Sequence, residues 1–87
     1  MKYFVYLLKS EKDDNFYIGQ TNNMAARFVK HNKGEVFATR HRRPLHLIGY
    51  TEVGSRLEAM QFEKKLKLHS DQKLKFIRKF IPNFDWK

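Results

Sequence analysis

Two residues that could handle a phosphate group, Arg27 and His31, stand four positions apart in a segment with helical spacing. Residues four apart lie on one face of a helix, and this face also carries Met24 and Phe28. The pattern therefore predicts a guanidinium and an imidazole at the rim of the core. There the arginine could hold a phosphate while the imidazole reaches the same anion. An ordinary solvated helix edge is the alternative.

Glu63 interrupts an apolar stripe on the second predicted helix, formed by Ala59, Met60, Phe62 and Leu66. A carboxylate among apolar side chains needs a partner, which is either a cation of the protein or a metal ion. A hard cation such as Mg²⁺ prefers oxygen ligands and often keeps several waters, so one carboxylate and a substrate phosphate can hold it. The pattern alone leaves the ion pair and the metal site equally open.

Tyr6 and Tyr17 lie on either side of a predicted turn. A symmetric register would set them opposite each other on one sheet face, where two hydroxyls could line one pocket. Tyrosine in a strand usually serves packing. A phenol titrates near pH ~10, so a role as a base would need a nearby cation or metal-bound water.

The run Arg40-His41-Arg42-Arg43 has no regular period and predicts a basic loop, either solvated or in contact with phosphates. The whole chain has 18 Lys and Arg against 9 Asp and Glu, a formal net charge of +9. Such a surface attracts polyanions, with nucleic acid the first expectation and an anionic membrane a distant second. Charge alone favours a binding protein over an enzyme.

The absence of cysteine excludes disulfides, Cys-ligated zinc and thiol nucleophiles. The four histidines lack the paired spacing of a zinc finger. No glycine-rich phosphate loop is present, which argues against a nucleotide-hydrolysing machine. A zinc finger, a thiol enzyme and a nucleotide-hydrolysing machine are therefore not expected.

The elements that must position these residues follow the order ββαβαα. The first predicted strand is apolar on both faces and should be central in its sheet. Polar caps and breakers mark the helix ends: Thr21, Asn22 or Asn23 before the first helix, Gly34 after it, Ser55 and Glu58 as a capping box, Ser70 before the last helix and Pro82 after it. The predicted strands are 2–10, 16–18 and 46–53, and the predicted helices end near residues 33, 69 and 80. The expected fold class is α+β, a small three-stranded antiparallel sheet flanked by helices.

At 87 residues the chain has room for one domain, spanning 1–87. Hydrophobic residues make up 41% and aromatic residues 15%, so the chain should fold despite its charge. No apolar run approaches the roughly 20 residues that span a bilayer, and no secretory pattern follows Met1. We expect a cytoplasmic protein with no membrane partner.

Together these residues resemble the GIY-YIG nuclease domain. Phe4-Val5-Tyr6 stands where that family has Gly-Ile-Tyr, and Tyr17-Ile18-Gly19 is its second tripeptide intact. Arg27 corresponds to the family's catalytic arginine, His31 to its frequent His or Tyr one turn later, and Glu63 to its single metal-binding glutamate. The resemblance covers about residues 2–80.

The chain is most similar to the small stand-alone members, whose Thr-x-x-x-Arg-Pro segment matches residues 39–44. It departs from the family at Phe4, where the first glycine is replaced, and at Gln20, where repair-enzyme relatives carry a lysine. The loss of that positive charge would weaken assistance to the tyrosine and so affect the rate of cleavage. Asn83 is the one candidate for the family's late asparagine.

The resemblance implies a metal-dependent endonuclease that hydrolyses nucleic-acid phosphodiester bonds, with weak sequence preference and DNA expected before RNA. Mg²⁺ or Mn²⁺ would bind at Glu63, and Arg27 would stabilise the developing charge. Tyr6 or Tyr17 would act on the attacking water, with His31 assisting proton transfer. DNA repair is the expected setting, and either a monomer or a transient dimer would serve.

The main alternative is a non-catalytic nucleic-acid-binding module on the same fold. It would keep the positive surface and differ from a nuclease in metal dependence. A third possibility is a small basic accessory protein that docks on an acidic partner.

Overall fold

The fold is a three-stranded sheet with helices on both faces, in a computed structural model that describes residues 2–85. Along the chain it runs β1 (Tyr3–Ser10), β2 (Phe16–Thr21), α1 (Met24–Lys33), β3 (Leu45–Val53), α2 (Arg56–Leu68) and α3 (Ser70–Phe80). The strands are antiparallel in the order β2-β1-β3. The predicted α+β fold in the order ββαβαα is confirmed.

The central strand β1 separates two apolar cores. Val5 and Leu7 point into one core, against α2 and α3, while Tyr6 and Leu8 point into the other, against α1. All four side chains are fully buried. The unbroken apolar run therefore reflects burial on both sides, because alternate residues of a strand face opposite layers.

The hairpin between β1 and β2 has a different register from the symmetric one. Tyr6 pairs with Gly19 and Leu8 pairs with Tyr17, so the expectation that the two tyrosines lie directly opposite is wrong. They share a face as diagonal neighbours, with ring centroids 6.4 Å apart. The cause is the turn, which closes through the Ser10 N–H to Asn15 carbonyl bond and places the hairpin's midpoint further along the chain.

The helix starts depend on single side chains. Of the three candidate caps of α1, Asn23 is the one used, since its side-chain oxygen accepts from the Ala26 N–H at 3.1 Å. Gly34 ends α1 with φ 81°, in the left-handed region that glycine tolerates without strain. Both ends of α1 are thus fixed by short-range chemistry, which sets the position of the helical face carrying Arg27.

Two predicted caps of the later helices need correction. Ser55 accepts from the Glu58 N–H at 3.1 Å, but the Glu58 carboxylate accepts from the N–H of Gly54 and not from that of Ser55. The Glu58 side chain therefore caps the N–H group one residue before the one that a capping box predicts. Ser70 is the first residue of α3 and not its cap, because the helix is preceded by His69, which makes no side-chain capping bond.

None of the helices among residues 2–85 is both long and apolar enough to cross a bilayer. The segment after α1 holds a short 3-10 helix, Arg40–Arg42, where an irregular loop was expected. Arg42 N–H bonds back to the Thr39 carbonyl at 2.8 Å, so the basic run begins in an ordered turn. Because this turn has a defined structure, it determines which of its arginines can contact a ligand.

Candidate active site

A chain of buried polar side chains lies between β1 and α1. Tyr6 and His31 are fully buried, and the Tyr6 hydroxyl lies 2.8 Å from His31 Nε2. On the other side of the ring, His31 Nδ1 lies 2.7 Å from the hydroxyl of Thr39, which is also fully buried. Arg27 Nε donates to the Tyr6 hydroxyl at 3.3 Å. The guanidinium is therefore held by a network whose other members have no solvent contact.

Burial sets the protonation of this network. Desolvation raises the pKa of Tyr6 to about 12, although the hydrogen bond from Arg27 opposes the shift. Burial also lowers the pKa of His31 to about 4, with the charge of Arg27 adding to the effect. At neutral pH the phenol keeps its proton and the imidazole is uncharged. A phenol that donates to Nε2, with Nδ1–H donating to Thr39, satisfies these groups together.

The position of His31 corrects one expectation from the sequence. The helical spacing placed Arg27 and His31 together at the rim of the core, within reach of one anion. Arg27 is half-buried at that rim, but His31 has no exposed surface. The one-turn separation sends the imidazole inward, where Tyr6 and Thr39 close over both its nitrogens.

Gly19 explains how Tyr6 reaches this position. A Cβ atom at Gly19 would overlap the Tyr6 hydroxyl and would lie 3.1 Å from the ring of Tyr17. Glycine opposite Tyr6 in the ladder leaves the room that the phenol occupies. The last residue of the second tripeptide thus provides space for the tyrosine of the first.

Glu63 of α2 has a cation for a partner. Its side chain is 20% exposed and accepts from Lys67 Nζ at 2.8 Å, one helical turn away. Its negative charge also acts on the buried network, since it raises the pKa of Tyr6 and that of Arg27 as a lesser contribution beside larger causes. The carboxylate is therefore electrostatically coupled to the arginine of α1. Met60, predicted to share its apolar stripe, is instead 47% exposed.

Tyr17 is the more accessible of the two tyrosines. Its side chain is half-buried, whereas Tyr6 has no exposed surface. Its ring lies 5.4 Å from that of His31 and 5.5 Å from Lys67 Nζ, measured between centroids and from centroid to nitrogen. Tyr17 therefore links the buried network to the Glu63–Lys67 pair.

Neighbouring clefts join Arg27 to Glu63. Arg27 lines a cleft of about 320 Å³, and Glu63 lines another of about 470 Å³. Gln20 is common to both. The remaining lining residues are Tyr3, Thr21, Asn22 and Arg56 in the first cleft, and Met60, Lys64, Lys67 and Leu68 in the second. An elongated anion along this surface would meet the guanidinium and the carboxylate in turn.

The basic run divides into one structural arginine and three exposed residues. Arg42 binds Asp13 through Nε at 2.7 Å and through a second nitrogen at 3.3 Å, which holds the pKa of that carboxyl at about 2. These bonds hold part of the guanidinium at the hairpin turn, while the side chain stays 24% exposed, so the expected contact of Arg42 with nucleic acid stays a prediction. Arg40, His41 and Arg43 are exposed and line a separate cleft of about 490 Å³, together with Lys12, Asn32 and Pro44.

Three residues gained roles that the sequence did not indicate. Thr39 entered only as part of a matching segment, yet it binds the catalytic candidate His31. Lys67 stands four residues after Glu63, a spacing that could have suggested the ion pair. Ser10 is buried and donates to the Arg42 carbonyl at 2.6 Å, which no local pattern would reveal.

Asn83, the candidate for the family's late asparagine, lies in an exposed turn after α3.

A sequence profile described as the GIY-YIG catalytic domain matches residues 2–75. The chain belongs to the GIY-YIG family. This domain defines a superfamily of nucleases, which generally use divalent metal ions. The match includes both tripeptides, the α1 arginine and Glu63.

Individual GIY-YIG relatives support the assignment. A UPF0213 protein of Staphylococcus haemolyticus is 41% identical over 78 residues, covering 87% of this chain and 94% of its own. One from Staphylococcus epidermidis is 35% identical over 79 residues, covering 88% and 95%. The solution NMR structure of a UPF0213 protein from Bacillus halodurans superposes with a TM-score of 0.54 at 32% identity, covering 88% of this chain and 82% of that one. The names of these proteins specify no substrate.

The donor set decides what kind of metal site this GIY-YIG chain could offer. No group of three or more His, Asp or Glu side chains that could enclose a cation is found within residues 2–85. Glu63 alone faces an open cleft with Gln20 beside it. A single carboxylate fits a hard cation that keeps waters and shares a substrate phosphate, and does not fit a fully protein-ligated site.

Proposed function

We propose that this GIY-YIG chain is an endonuclease that hydrolyses nucleic-acid phosphodiester bonds with the help of a divalent cation, on DNA in preference to RNA. The observation that carries the proposal is the joining of Arg27 and Glu63 by one surface over a fixed, neutral Tyr6–His31 pair. Phosphodiester hydrolysis needs a positive group for the developing charge and an anchor for a cation, and these two residues supply both.

Arg27 is the proposed electrostatic catalyst. Its pKa is raised above its usual value, first by the hydrogen bond to Tyr6, so the guanidinium stays charged through the reaction. Because Nε is already bound to Tyr6, the terminal nitrogens are oriented for a phosphate. A preorganised cation stabilises a phosphorane-like transition state without first reorganising.

The tyrosines have different proposed roles. Tyr6 has no solvent contact and its hydroxyl already binds His31 and Arg27, so it positions the guanidinium. Tyr17 is partly accessible and lies beside Lys67, so it is the better placed to orient the attacking water. His31 is a positioning residue, because its neutral ring is hydrogen-bonded to the Tyr6 hydroxyl that binds Arg27.

Glu63 is the proposed anchor for Mg²⁺ or Mn²⁺, with waters and a substrate phosphate completing the coordination. Such a cation would neutralise phosphate charge and supply an acidic water. The protein's own contribution is to hold the carboxylate at 20% exposure, on the helix that also carries Lys67.

The test is a cleavage assay on labelled single-stranded, duplex and branched DNA and RNA, with Mg²⁺, with Mn²⁺ and with chelator. Glu63→Gln keeps the size of the side chain and removes the charge, so metal-dependent cleavage should disappear. Its free energy of unfolding should stay within about 0.5 kcal/mol of wild type, because a partly exposed i,i+4 pair contributes about that much. Arg27→Ala should lose most turnover while binding stays within a few-fold.

Two results would contradict the proposal. One is a folded Glu63→Gln protein that still cuts at the wild-type, metal-dependent rate. The other is a wild-type protein inactive on every substrate and metal, which would favour the alternative of a nucleic-acid-binding module. The observation that favours that alternative is the Lys67–Glu63 pair, which neutralises the proposed anchor. If the protein is a nuclease, we further propose that it acts in DNA repair in the cytoplasm.

A further inference from the structure

Lys67 is the cation closest to the proposed metal anchor. Its Nζ lies 2.8 Å from Glu63 Oε2 and 5.5 Å from the centroid of the Tyr17 ring. The lysine side chain is 49% exposed, and the carboxylate is 20% exposed. The ammonium group therefore sits over the inner carboxylate while its stem remains free to move toward solvent.

This position conflicts with a second cation on the same carboxylate. An ammonium and a divalent ion a few ångströms apart repel each other, and both compete for the same oxygen. Lys67 has room to yield, since its side chain is 49% exposed and lysine has four rotatable bonds. When it yields, it stays beside the cleft of about 470 Å³ that it lines with Gln20 and Glu63.

The same cleft is where a displaced ammonium would meet a bound substrate. A phosphodiester lying between Arg27 and Glu63 would present anionic oxygens along this surface. An ammonium to phosphate contact is charge-assisted, and it would replace the ion pair lost to the metal. Lys67 thus has one anionic partner before the cation binds and another afterwards.

We propose that Lys67 is a further residue of the active site, which neutralises Glu63 in the metal-free protein and contacts a substrate phosphate once a divalent cation takes its place. This inference rests on the proposed function, because it assumes the cation site at Glu63. It gives Lys67 opposite effects on two measurable quantities. The lysine weakens metal binding, and it strengthens the handling of substrate.

The experiment begins without nucleic acid, by calorimetric titration of Mn²⁺ into the full chain. Lys67→Met should tighten Mn²⁺ binding about five-fold, since it removes a competing charge from a partly exposed carboxylate. Lys64→Met is the matched control, because Lys64 lines the same cleft but makes no ion pair with Glu63 in the described structure. It should change the affinity by less than about two-fold. Glu63→Gln should abolish binding.

The second measurement is cleavage at saturating Mn²⁺. Lys67→Met should lower kcat/KM about ten-fold, as expected for the loss of one charge-assisted contact to phosphate. Lys67→Arg keeps the charge and should restore part of this loss. A stronger metal affinity combined with weaker cleavage is a signature that a purely structural ion pair would not produce.

The outcomes separate this inference from the proposed function. Unchanged or weaker Mn²⁺ binding in Lys67→Met, with binding still lost in Glu63→Gln, would overturn the role of Lys67 and leave the metal site standing. Unchanged cleavage by Lys67→Met at saturating metal would overturn the contact with substrate. If no protein, wild type included, binds Mn²⁺ without nucleic acid, the inference is wrong, because it requires the cation to displace Lys67 in the free protein; the nuclease itself is then judged by whether chelator stops cleavage. A melting temperature near that of wild type confirms that each variant is folded.

Discussion

His31 shows how a single buried side chain can fix the chemistry of its neighbours. Two hydrogen bonds hold its ring, to Tyr6 at 2.8 Å and to Thr39 at 2.7 Å, and no part of it reaches solvent. An imidazolium in this place would lose its hydration and face the charge of Arg27. The neutral ring is therefore part of the folded state, and its protonation should oppose folding.

We predict that the protein loses stability as the pH falls from about 6.5 to about 4. The folded pKa of His31 is about 4 against an ordinary value of 6.5, so in this window the unfolded chain binds the proton and the folded chain does not. Stability therefore rises with pH here, by on the order of 2–3 kcal/mol across the window. Urea unfolding at several pH values measures the effect.

The comparison that isolates His31 uses two variants. His31→Gln is less stable at every pH, because Tyr6 and Thr39 lose their partner, but its dependence on pH between 4 and 6.5 should be shallower. His46→Gln is the control, since His46 is exposed and pairs with Glu11 at the surface. It should keep the wild-type slope. An equal slope in wild type and His31→Gln would show that folding does not lower the pKa of His31.

At the scale of elements, the candidate site depends on how closely β2 approaches the tyrosine of β1. Tyr6 and Gly19 are cross-strand partners, and the Tyr6 hydroxyl fills the space that a side chain at Gly19 would need. The hydroxyl can then reach both His31 and Arg27 of α1. The missing Cβ atom at Gly19 thus leaves the space in which the Tyr6 hydroxyl meets its α1 partners.

Gly19→Ala should lower both stability and cleavage. The methyl group would push the buried phenol away from His31 and Arg27, and overpacking of this kind costs about 1–3 kcal/mol. Gly54→Ala is the control, because a Cβ there would lie 3.4 Å from the nearest atom, the Glu58 carboxylate. Denaturant unfolding and cleavage rates are measured for both. A Gly19→Ala protein with wild-type stability and activity would mean that Tyr6 is not fixed against β2.

At the scale of the whole molecule, the charge of +9 is spread over several faces. Arg40, His41 and Arg43 line a cleft with Lys12, while Arg27 and Lys67 line the clefts of the candidate active site. Arg42 pairs with Asp13, and its side chain is 24% exposed. Attraction to nucleic acid should therefore come from many small contributions. The contribution of the cleft lined by Lys12 and Arg40 can be tested separately from catalysis.

We predict that nucleic-acid binding weakens steeply with salt and that the basic cleft contributes to the slope. A Lys12→Gln, Arg40→Gln double variant should reduce the slope of log K against log salt by about 1–2, since each phosphate contact contributes about 0.9 on duplex DNA. The control is a second double variant, Lys65→Gln, Lys75→Gln. It removes the same charge from exposed positions of α2 and α3. Equal slopes for the two double variants would show that the cleft makes no phosphate contacts. Fluorescence anisotropy at several salt concentrations measures the slopes.

The sequence alone determined the order of the elements and most of their ends. The apolar run of β1, the stop at Gly34 and the order of strands and helices follow from periodicity and local hydrogen bonding, which act over a few residues. The spacing of the tripeptides, Arg27 and Glu63 was also sufficient to indicate the family, because side-chain type and order survive without coordinates.

Only the tertiary structure decided which partners those side chains bind. The hairpin turn set Tyr6 opposite Gly19, a register that depends on how the turn closes and not on the strand pattern. Packing of α1 on the sheet took His31 out of solvent, and the 3-10 turn brought Thr39 to it from eight residues away. The pairing of Arg42 with Asp13 spans 29 residues. The pairing of particular side chains depends on where distant segments meet, and helical or strand periodicity predicts which face of an element is buried but not which groups it meets there.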